Sequence, residues 1–325
     1  VMRDQKGGFY SAEDADSEGK EGYFYTWDYE EVIDILGREE GALFIEYYGI
    51  TESGNFEGRN ILHVRVPFLE FASHKGIKPH LLTELFTLQR KALFDERELR
   101  PHPLKDDKIL TSWNGLIIAS FAELGLHTGK SEYCETAEKC ASFIIQSMVS
   151  EGLLYRRFRE EEIKWIGGLD EYAFLIKGLL SLFQADQKRI WLEAVIKFTD
   201  LLEERFKQKD GAFFQTEIEE SVLIRKCQFA DGAEPSGNAV HTENLLRLYQ
   251  LTGNPKYLSQ AEDILKAVKR FLDAYPPGYC YHVMALQRYY DSKASLAIIA
   301  LNESEDYYIQ LKNVAKGHYA PHSVV

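Results

Sequence analysis

The sequence predicts a mostly α fold: an (α/α)6 toroid of helical hairpins, incomplete at its N-terminus, with short β-hairpin loops at the mouth of its cavity. Segments whose apolar residues recur with the period of a helix come in pairs. The first segment of each pair is apolar on nearly every side, and the second is apolar along one stripe only. The pair Thr128-Gly129 recurs as Thr252-Gly253, an offset of 252 − 128 = 124 residues, or two repeats of about 62. Each hairpin can bury its apolar face only against a neighbour, as in rings and solenoids.

The segments at about 113–127, 170–184 and 237–251 are the apolar members of the pairs, and we predict that they form inner helices. The segments that follow them carry a single stripe, such as the one from Trp191 to Leu202. We therefore predict outer helices with one face in water.

Short strand-like pieces with turn signals precede the inner helices. They are Gly152–Arg156, Gly211–Thr216 and, at the start of the chain, Gly8–Ser11. Because each piece leads the chain to the beginning of an inner helix, we expect the residues around them to converge at one mouth of the ring.

The rest of the chain is less regular. We predict further helices at about 28–36, 39–48 and 77–98, and one more inner helix at about 279–290. An apolar run at 294–301 and a polar helix from about 304 to 313 follow. The domain prediction is a toroid region of residues 1–290 and the start of a C-terminal α/β-like extension at 291–325.

Composition excludes several classes of protein. The chain has 325 residues and a formal charge of −13, so its surface potential repels phosphate backbones and anionic lipids. Its apolar stretches are far shorter than the roughly 20 residues of a membrane span. The four cysteines form no paired motif, which is typical of reduced thiols in a cytoplasmic protein. We predict neither a nucleic-acid partner nor a membrane partner, and the sequence does not indicate an oligomeric state.

The first polar cluster lies in Ser11–Gly19 and contains Asp14. Its acidic spacing matches the first half of a calcium loop, but Tyr25 occupies the position that requires a bidentate Glu, so we reject a calcium site. Asp14 is a candidate catalytic acid, and the alternative is a solvated turn residue.

A second cluster begins the first inner helix and contains Asp107, Trp113 and Asn114. Sugar sites use aromatic faces for stacking and amide or carboxylate groups for hydroxyls. We assign Asp107 as a candidate catalytic residue and Trp113 and Asn114 as substrate contacts. Ordinary helix capping remains the alternative.

Two further clusters begin the next inner helices. Gly-rich sequence precedes Asp170 and Tyr172, and a Gly- and Pro-containing loop carries Asp231, Ser236 and Asn238. We assign Asp170 a catalytic role and the other four residues substrate binding. Capping would also explain Asp170.

Glycoside chemistry needs one protonated and one ionised carboxyl group beside the scissile bond. Asp107 and Asp170 are the best acid and base candidates, with Asp14 a third. No nucleotide-binding, serine-hydrolase or zinc-protease motif is present, and the nine histidines are scattered. We therefore predict a small sugar-like ligand and neither a metal nor a cofactor.

Several long motifs, read together, resemble a known family. They are Gly7–Asp16, Gly54–Leu62, Arg100–His102 with Asp106–Gly115, and Asp231–Asn238. The chain is similar over about residues 7–274 to the thioredoxin-domain-containing family of a spermatogenesis-associated protein and its microbial relatives.

That resemblance implies a longer protein, in which a thioredoxin-like domain precedes a six-hairpin toroid similar to N-acylglucosamine 2-epimerases and six-hairpin glycosidases. The thioredoxin-like domain and the first hairpins are expected to be missing here, so no redox role transfers to these residues. The functional prediction is a carbohydrate-active protein, glycosidase-like or epimerase-like if it is an enzyme. The alternative is a non-catalytic binding or scaffold toroid that accompanies the thioredoxin-like domain.

Overall fold

A computed structural model describes residues 2–217 and 224–291, and all structural statements concern those residues. Their contacts divide the chain into two compact units. One unit is formed by residues 12–106, and the other by the residues before 12 together with those from 107 onward. This division was not predicted. The predicted extension at 291–325, with its apolar run and polar helix, lies outside the described residues except for Asp291.

The 12–106 unit packs four helices around an aromatic core. Phe44, Tyr47 and Phe86 are buried at its centre, with the rings of Phe44 and Phe86 5.5 Å apart and nearly perpendicular. Strand β1 pairs with β4, and β2 with β3, each antiparallel. The elements are β1 Ala12–Glu13, β2 Asp16–Ser17, β3 Lys20–Glu21, α1 Tyr29–Leu36, α2 Ala42–Tyr47, α3 Phe68–His74, α4 Pro79–Arg97 and β4 Lys105–Asp106. Sequence periodicity predicted all of these helices except α3.

The second unit consists of helical hairpins, as predicted. Its elements are β5 Ile109–Leu110, α5 Thr111–Thr128, α6 Ser131–Ser147, β6 Val149–Ser150, β7 Leu153–Arg159, β8 Glu162–Ile166, α7 Leu169–Asp186, α8 Arg189–Arg205, α9 Gly237–Thr252, α10 Pro255–Ala274, a 3-10 turn Pro276–Tyr279, and α11 Cys280–Asp291. Gly129 and Gly253 end α5 and α9 in the left-handed conformation, which explains the repeated Thr-Gly signature.

The inner helices α5, α7 and α9 lie side by side and run in the same direction. Gly115 on α5 touches the backbone of α7 so closely that a Cβ there would overlap Phe174. Lys177 on α7 pairs with Glu243 on α9 at 3.0 Å. Over the described residues, the hairpin unit thus has the arrangement of an (α/α) toroid, which confirms the predicted fold class.

Helix α11 is a fourth inner helix, as its sequence predicted. The Tyr281 hydroxyl donates to Glu243 Oε2 at 2.7 Å, and Arg288 donates to Gln250 Oε1 at 3.1 Å. The second contact lies seven residues further along both helices than the first, so α11 runs parallel to α9.

The strand-like pieces behave differently from one another. Strand β7 pairs with β5, β6 and β8, which confirms the piece at Gly152–Arg156. The pieces at Gly211–Thr216 and Gly8–Ser11 form no strand of the described chain. Each makes one isolated bridge, through Phe213 and through Phe9. Their backbones pair instead with side-chain amides of the inner helices.

Candidate functional site

The beginnings of the inner helices meet at one mouth of the hairpin unit. Trp113, in the first turn of α5, donates its indole N–H to the Oε1 of Glu234, which lies in the loop before α9. The charge of Glu234 in turn acts on Asp170, in the first turn of α7. Three hairpins therefore contribute to a single cluster of Trp113, Glu234 and Asp170, which we call the mouth cluster.

Asp170 is held by close packing against the start of α9. A Cβ at Gly237 would overlap Asp170 Oδ1, so a larger residue at this position would displace the carboxyl group. The Oδ1 atom is buried, and within the described part of the chain it has no hydrogen-bond partner. An unpaired buried carboxylate oxygen is costly when ionised, which favours the protonated form.

The pKa of Asp170 is raised from 3.8 to about 6. Burial is the largest cause, and the charges of Glu171 and Glu234 add to it. Arg156 and a hydrogen bond from Gln215 act in the opposite direction. Asp170 can therefore hold or release a proton near neutral pH.

Glu171, next to Asp170, has a structural role. Its Oε2 accepts the backbone N–H of Gly168, the N-cap residue of α7, at 2.8 Å. Its Oε1 lies 3.5 Å from Arg156 Nε, and its side chain is nearly fully buried. Burial raises the pKa of Glu171, while Arg156 opposes the rise.

A cavity of about 280 Å³ opens beside Asp170. Its wall mixes a cation, carboxylates, amides and a hydroxyl, and includes Arg156, Asp170, Gln215, Thr216, Glu217 and Gln228. Glu217 is held by Arg205, whose Nε lies 2.6 Å from Glu217 Oε2. Amides and hydroxyls are suited to binding the hydroxyl groups of a sugar.

Asn114 and Asn238, predicted as substrate contacts, instead hold the backbone. Asn114 Oδ1 accepts the N–H of Phe9 at 2.8 Å and its Nδ2 donates to the Phe9 carbonyl at 3.0 Å. Asn238 makes the same pair of bonds with Phe213, at 2.8 and 2.9 Å. Both amides are buried and bonded to backbone, and the assignment of these two residues to substrate binding stays a prediction.

Tyr172 and Ser236 also bond to backbone, and their assignment to substrate binding likewise stays a prediction. The Tyr172 hydroxyl accepts the N–H of Leu154 at 3.1 Å, and the ring is buried. Ser236 is buried and donates to the Gln228 carbonyl at 3.0 Å. Both side chains fix loops against inner helices.

Asp231 organises the loop before α9 and the start of α11. Its Oδ1 accepts the N–H of Ser236 at 2.9 Å and its Oδ2 accepts the N–H of Tyr281 at 2.9 Å. Both carboxylate oxygens are thus bonded to backbone, as in a helix cap. Asp231 therefore positions these two segments, and its contact with substrate stays a prediction.

The other predicted catalytic acids are not part of the mouth cluster. Asp107 is half-exposed and pairs with Arg159 Nε at 2.7 Å. Asp14 belongs to the 12–106 unit, where it is exposed and its Oδ1 accepts the N–H of Asp16 at 3.2 Å.

Sequence reasoning did not select Glu234, Arg156 or Gln215 as site residues. Glu234 stands in the same loop as Asp231 and Ser236, so a carboxylate three residues after Asp231 was a visible signal. Arg156 ends a strand-like piece that the sequence predicted to reach the mouth. No local pattern pointed to Gln215.

Among residues 2–217 and 224–291, no group of three or more His, Cys, Asp or Glu side chains is arranged to hold a metal ion. Over the same residues, every helix is too short or too polar to cross a lipid bilayer. The cytoplasmic location indicated by the cysteine pattern stays a prediction.

Comparison with known proteins identifies relatives that match most of the chain. It is 31% identical over 340 residues to spermatogenesis-associated protein 20 of Homo sapiens, a match that covers 93% of the chain and 43% of that protein. The mouse protein of the same name is 32% identical over 305 residues, covering 82% of the chain and 39% of the relative. The chain is a homologue of spermatogenesis-associated protein 20. It spans less than half the length of these relatives, and no protein-family model matches it.

Solved structures give fold likenesses at low identity. A family 76 alpha-mannanase of Bacteroides thetaiotaomicron is 16% identical and superposes with a TM-score of 0.48. The match covers 67% of this chain and 59% of the mannanase. Cellobiose 2-epimerase of Spirochaeta thermophila is also 16% identical, with a TM-score of 0.42 over 50% of this chain and 43% of the epimerase. What the site does is therefore argued from its own geometry.

Proposed function

We propose that the chain binds a sugar or glycoside at the mouth of its hairpin unit and processes it by carboxylate acid–base chemistry. The observation that carries the proposal is Asp170: a carboxyl group with a buried, unpartnered oxygen and a pKa near 6, beside a polar cavity. A general acid works best when its pKa lies near the working pH.

Glu234 is the proposed second carboxylate. Glycoside chemistry needs two carboxyl groups in environments that separate their proton affinities. The charge of Glu234 helps to hold the proton on Asp170, and the indole N–H of Trp113 fixes its orientation. Glu234 therefore replaces Asp107, which is engaged by Arg159.

The cavity supplies the proposed sugar contacts. Gln215, Thr216 and Gln228 offer amide and hydroxyl groups to sugar hydroxyls. Trp113, which is 38% exposed, offers an aromatic edge or face to the apolar side of a sugar ring.

The first experiment is a thermal-shift screen with mono- and disaccharides. A ligand present at a hundred times its dissociation constant should add about 2.7 kcal/mol of stability. A sugar that shifts the melting temperature is then offered as a glycoside and turnover is measured. If no sugar shifts the transition, the sugar site is refuted and the non-catalytic scaffold is favoured.

The second experiment compares variants with the sugar that binds. Asp170→Asn and Glu234→Gln should each lower turnover by about 10²- to 10⁴-fold, because each removes one partner in proton transfer. Asp107→Asn is the matched control and should retain turnover. Full activity in Asp170→Asn, or loss only in the Asp107 variant, contradicts the proposed roles.

A further inference from the structure

Trp165, near the end of β8, is held in an unusual position. Its side chain is 62% exposed, and its backbone φ of 58° lies in the left-handed region. Bulky residues are outliers in that region unless surrounding structure imposes it. Local strain of this kind concentrates at ligand-binding sites, and an exposed indole gains nothing from burial here.

The pairing of β7 with β8 puts Trp165 next to two residues of the cavity wall. Tyr155 pairs with Ile166, and Arg157 with Lys164, so Trp165 stands opposite Arg156 in the register. Arg156 and Ile166 both line the cavity that contains Asp170. The strand neighbour and the chain neighbour of Trp165 are therefore walls of the proposed site.

One face of the Trp165 ring is supported and the rest is open. The guanidinium of Arg157 lies over the ring, 5.2 Å from its centroid, and is itself buried and paired with Glu162 at 3.3 Å. This support holds the ring in place without covering it. Trp113, the other exposed tryptophan of this unit, has its indole N–H committed to Glu234.

The size of the cavity leaves part of a glycoside outside. At about 280 Å³ it lies at the lower end of ligand pockets, which run from roughly 300 to 1,000 Å³. Such a volume suits one sugar ring. A glycoside also has a leaving group, so its second unit must lie on the surface at the rim.

We infer that Trp165 is a stacking platform for the second sugar unit of an oligosaccharide whose terminal unit occupies the cavity beside Asp170. This inference rests on the proposed function and specifies its substrate class: a di- or oligosaccharide processed from its end. The open indole face packs against the apolar C–H face of the second ring. Because the supported ring is already fixed, binding orders little of the protein.

The test measures binding of methyl glycosides of glucose, mannose and galactose, and of the corresponding disaccharides, by calorimetry. Trp165→Ala should weaken disaccharide binding about tenfold and leave methyl glycoside binding unchanged. Trp165→Phe, which keeps an aromatic face, should recover most of the loss. Tyr290→Ala is the matched control, because Tyr290 is 65% exposed but lies at the far end of α11 from the mouth.

The outcomes separate this inference from the proposed function. If methyl glycosides bind and Trp165→Ala leaves disaccharide affinity unchanged, or weakens both ligand classes equally, the platform is refuted and the sugar site stands. If none of these sugars binds the unmodified chain, the proposed function and the platform are both overturned.

Discussion

Replacing Asp170 with asparagine tests whether the ionised carboxylate lowers the stability of the folded chain. Asparagine keeps the shape of the side chain and its ability to accept a hydrogen bond from Gln215, but removes the charge. Because burial and the neighbouring charges of Glu171 and Glu234 disfavour the ionised form, the substitution should stabilise the protein wherever Asp170 is ionised.

The magnitude follows from the raised pKa of Asp170. A rise from 3.8 to about 6 means that the folded chain binds the proton more tightly than the unfolded chain. The stabilisation due to the proton is complete below pH 3.8 and is lost as the pH rises through 6. At about 1.4 kcal/mol per pKa unit the loss at pH 8 is roughly 3 kcal/mol at most, and solvent screening reduces it to about 1–2 kcal/mol.

Thermal denaturation of both proteins at pH 8 and pH 4 measures the effect. Asp170→Asn should melt a few degrees higher than the unmodified chain at pH 8, while the two should nearly coincide at pH 4. Glu171→Ala is an informative comparison, because it leaves the backbone N–H of Gly168 without its acceptor and should destabilise the protein. If Asp170→Asn is less stable at pH 8, Asp170 acts as a helix cap and the argument for a strained acid is refuted.

Two further predictions concern buried polar groups. His241 is fully buried, and neither ring nitrogen has a hydrogen-bond partner among the described residues. Burial lowers the pKa of His241 from 6.5 to about 3. The stability of the folded chain should therefore fall as the pH drops below 6.5, by about 2 kcal/mol at pH 5. Between pH 7.5 and pH 5, the melting temperature of His241→Leu should fall less than that of the unmodified chain. An equal fall in the two proteins would contradict this. Asn238→Ala leaves the backbone of Phe213 without its amide partners and should cost about 2–4 kcal/mol in chemical denaturation; a loss below about 0.5 kcal/mol would show that the bonds are dispensable.

Much of the hairpin unit could be predicted because its helices differ in burial and its repeat is strict. Periodicity located α5, α7, α9 and α11 within a few residues, since a helix surrounded by others must be apolar all round. Helix α3 was missed, and its fully buried residues are only Phe71 and Ala72, which are adjacent and show no helical spacing. The piece at Gly211–Thr216 reads as a strand, yet its backbone is paired by Asn238 rather than by a neighbouring strand.

The site was less predictable. Asp170 was a candidate because it lies at the start of an inner helix, but Asp107 was chosen for the same reason. What separates them is burial and neighbouring charge: Asp170 lies against Gly237 and near Glu234, both more than sixty residues away in sequence, whereas Asp107 is half-exposed beside Arg159. Asn114 and Asn238 also follow the repeat, since 238 − 114 = 124 is the offset found for the Thr-Gly pairs. This spacing indicates equivalent structural roles, which were not predicted.

The most direct test of the mouth cluster is the pKa of Asp170, measured from the carboxyl carbon signal by NMR as the pH is varied. In the unmodified chain we expect a value near 6. In Glu234→Gln the value should fall, because a like charge that favours the protonated form has been removed. A value near 3.8 in both proteins would contradict the account, since Asp170 would then be an ordinary ionised carboxylate that neither Glu234 nor burial perturbs.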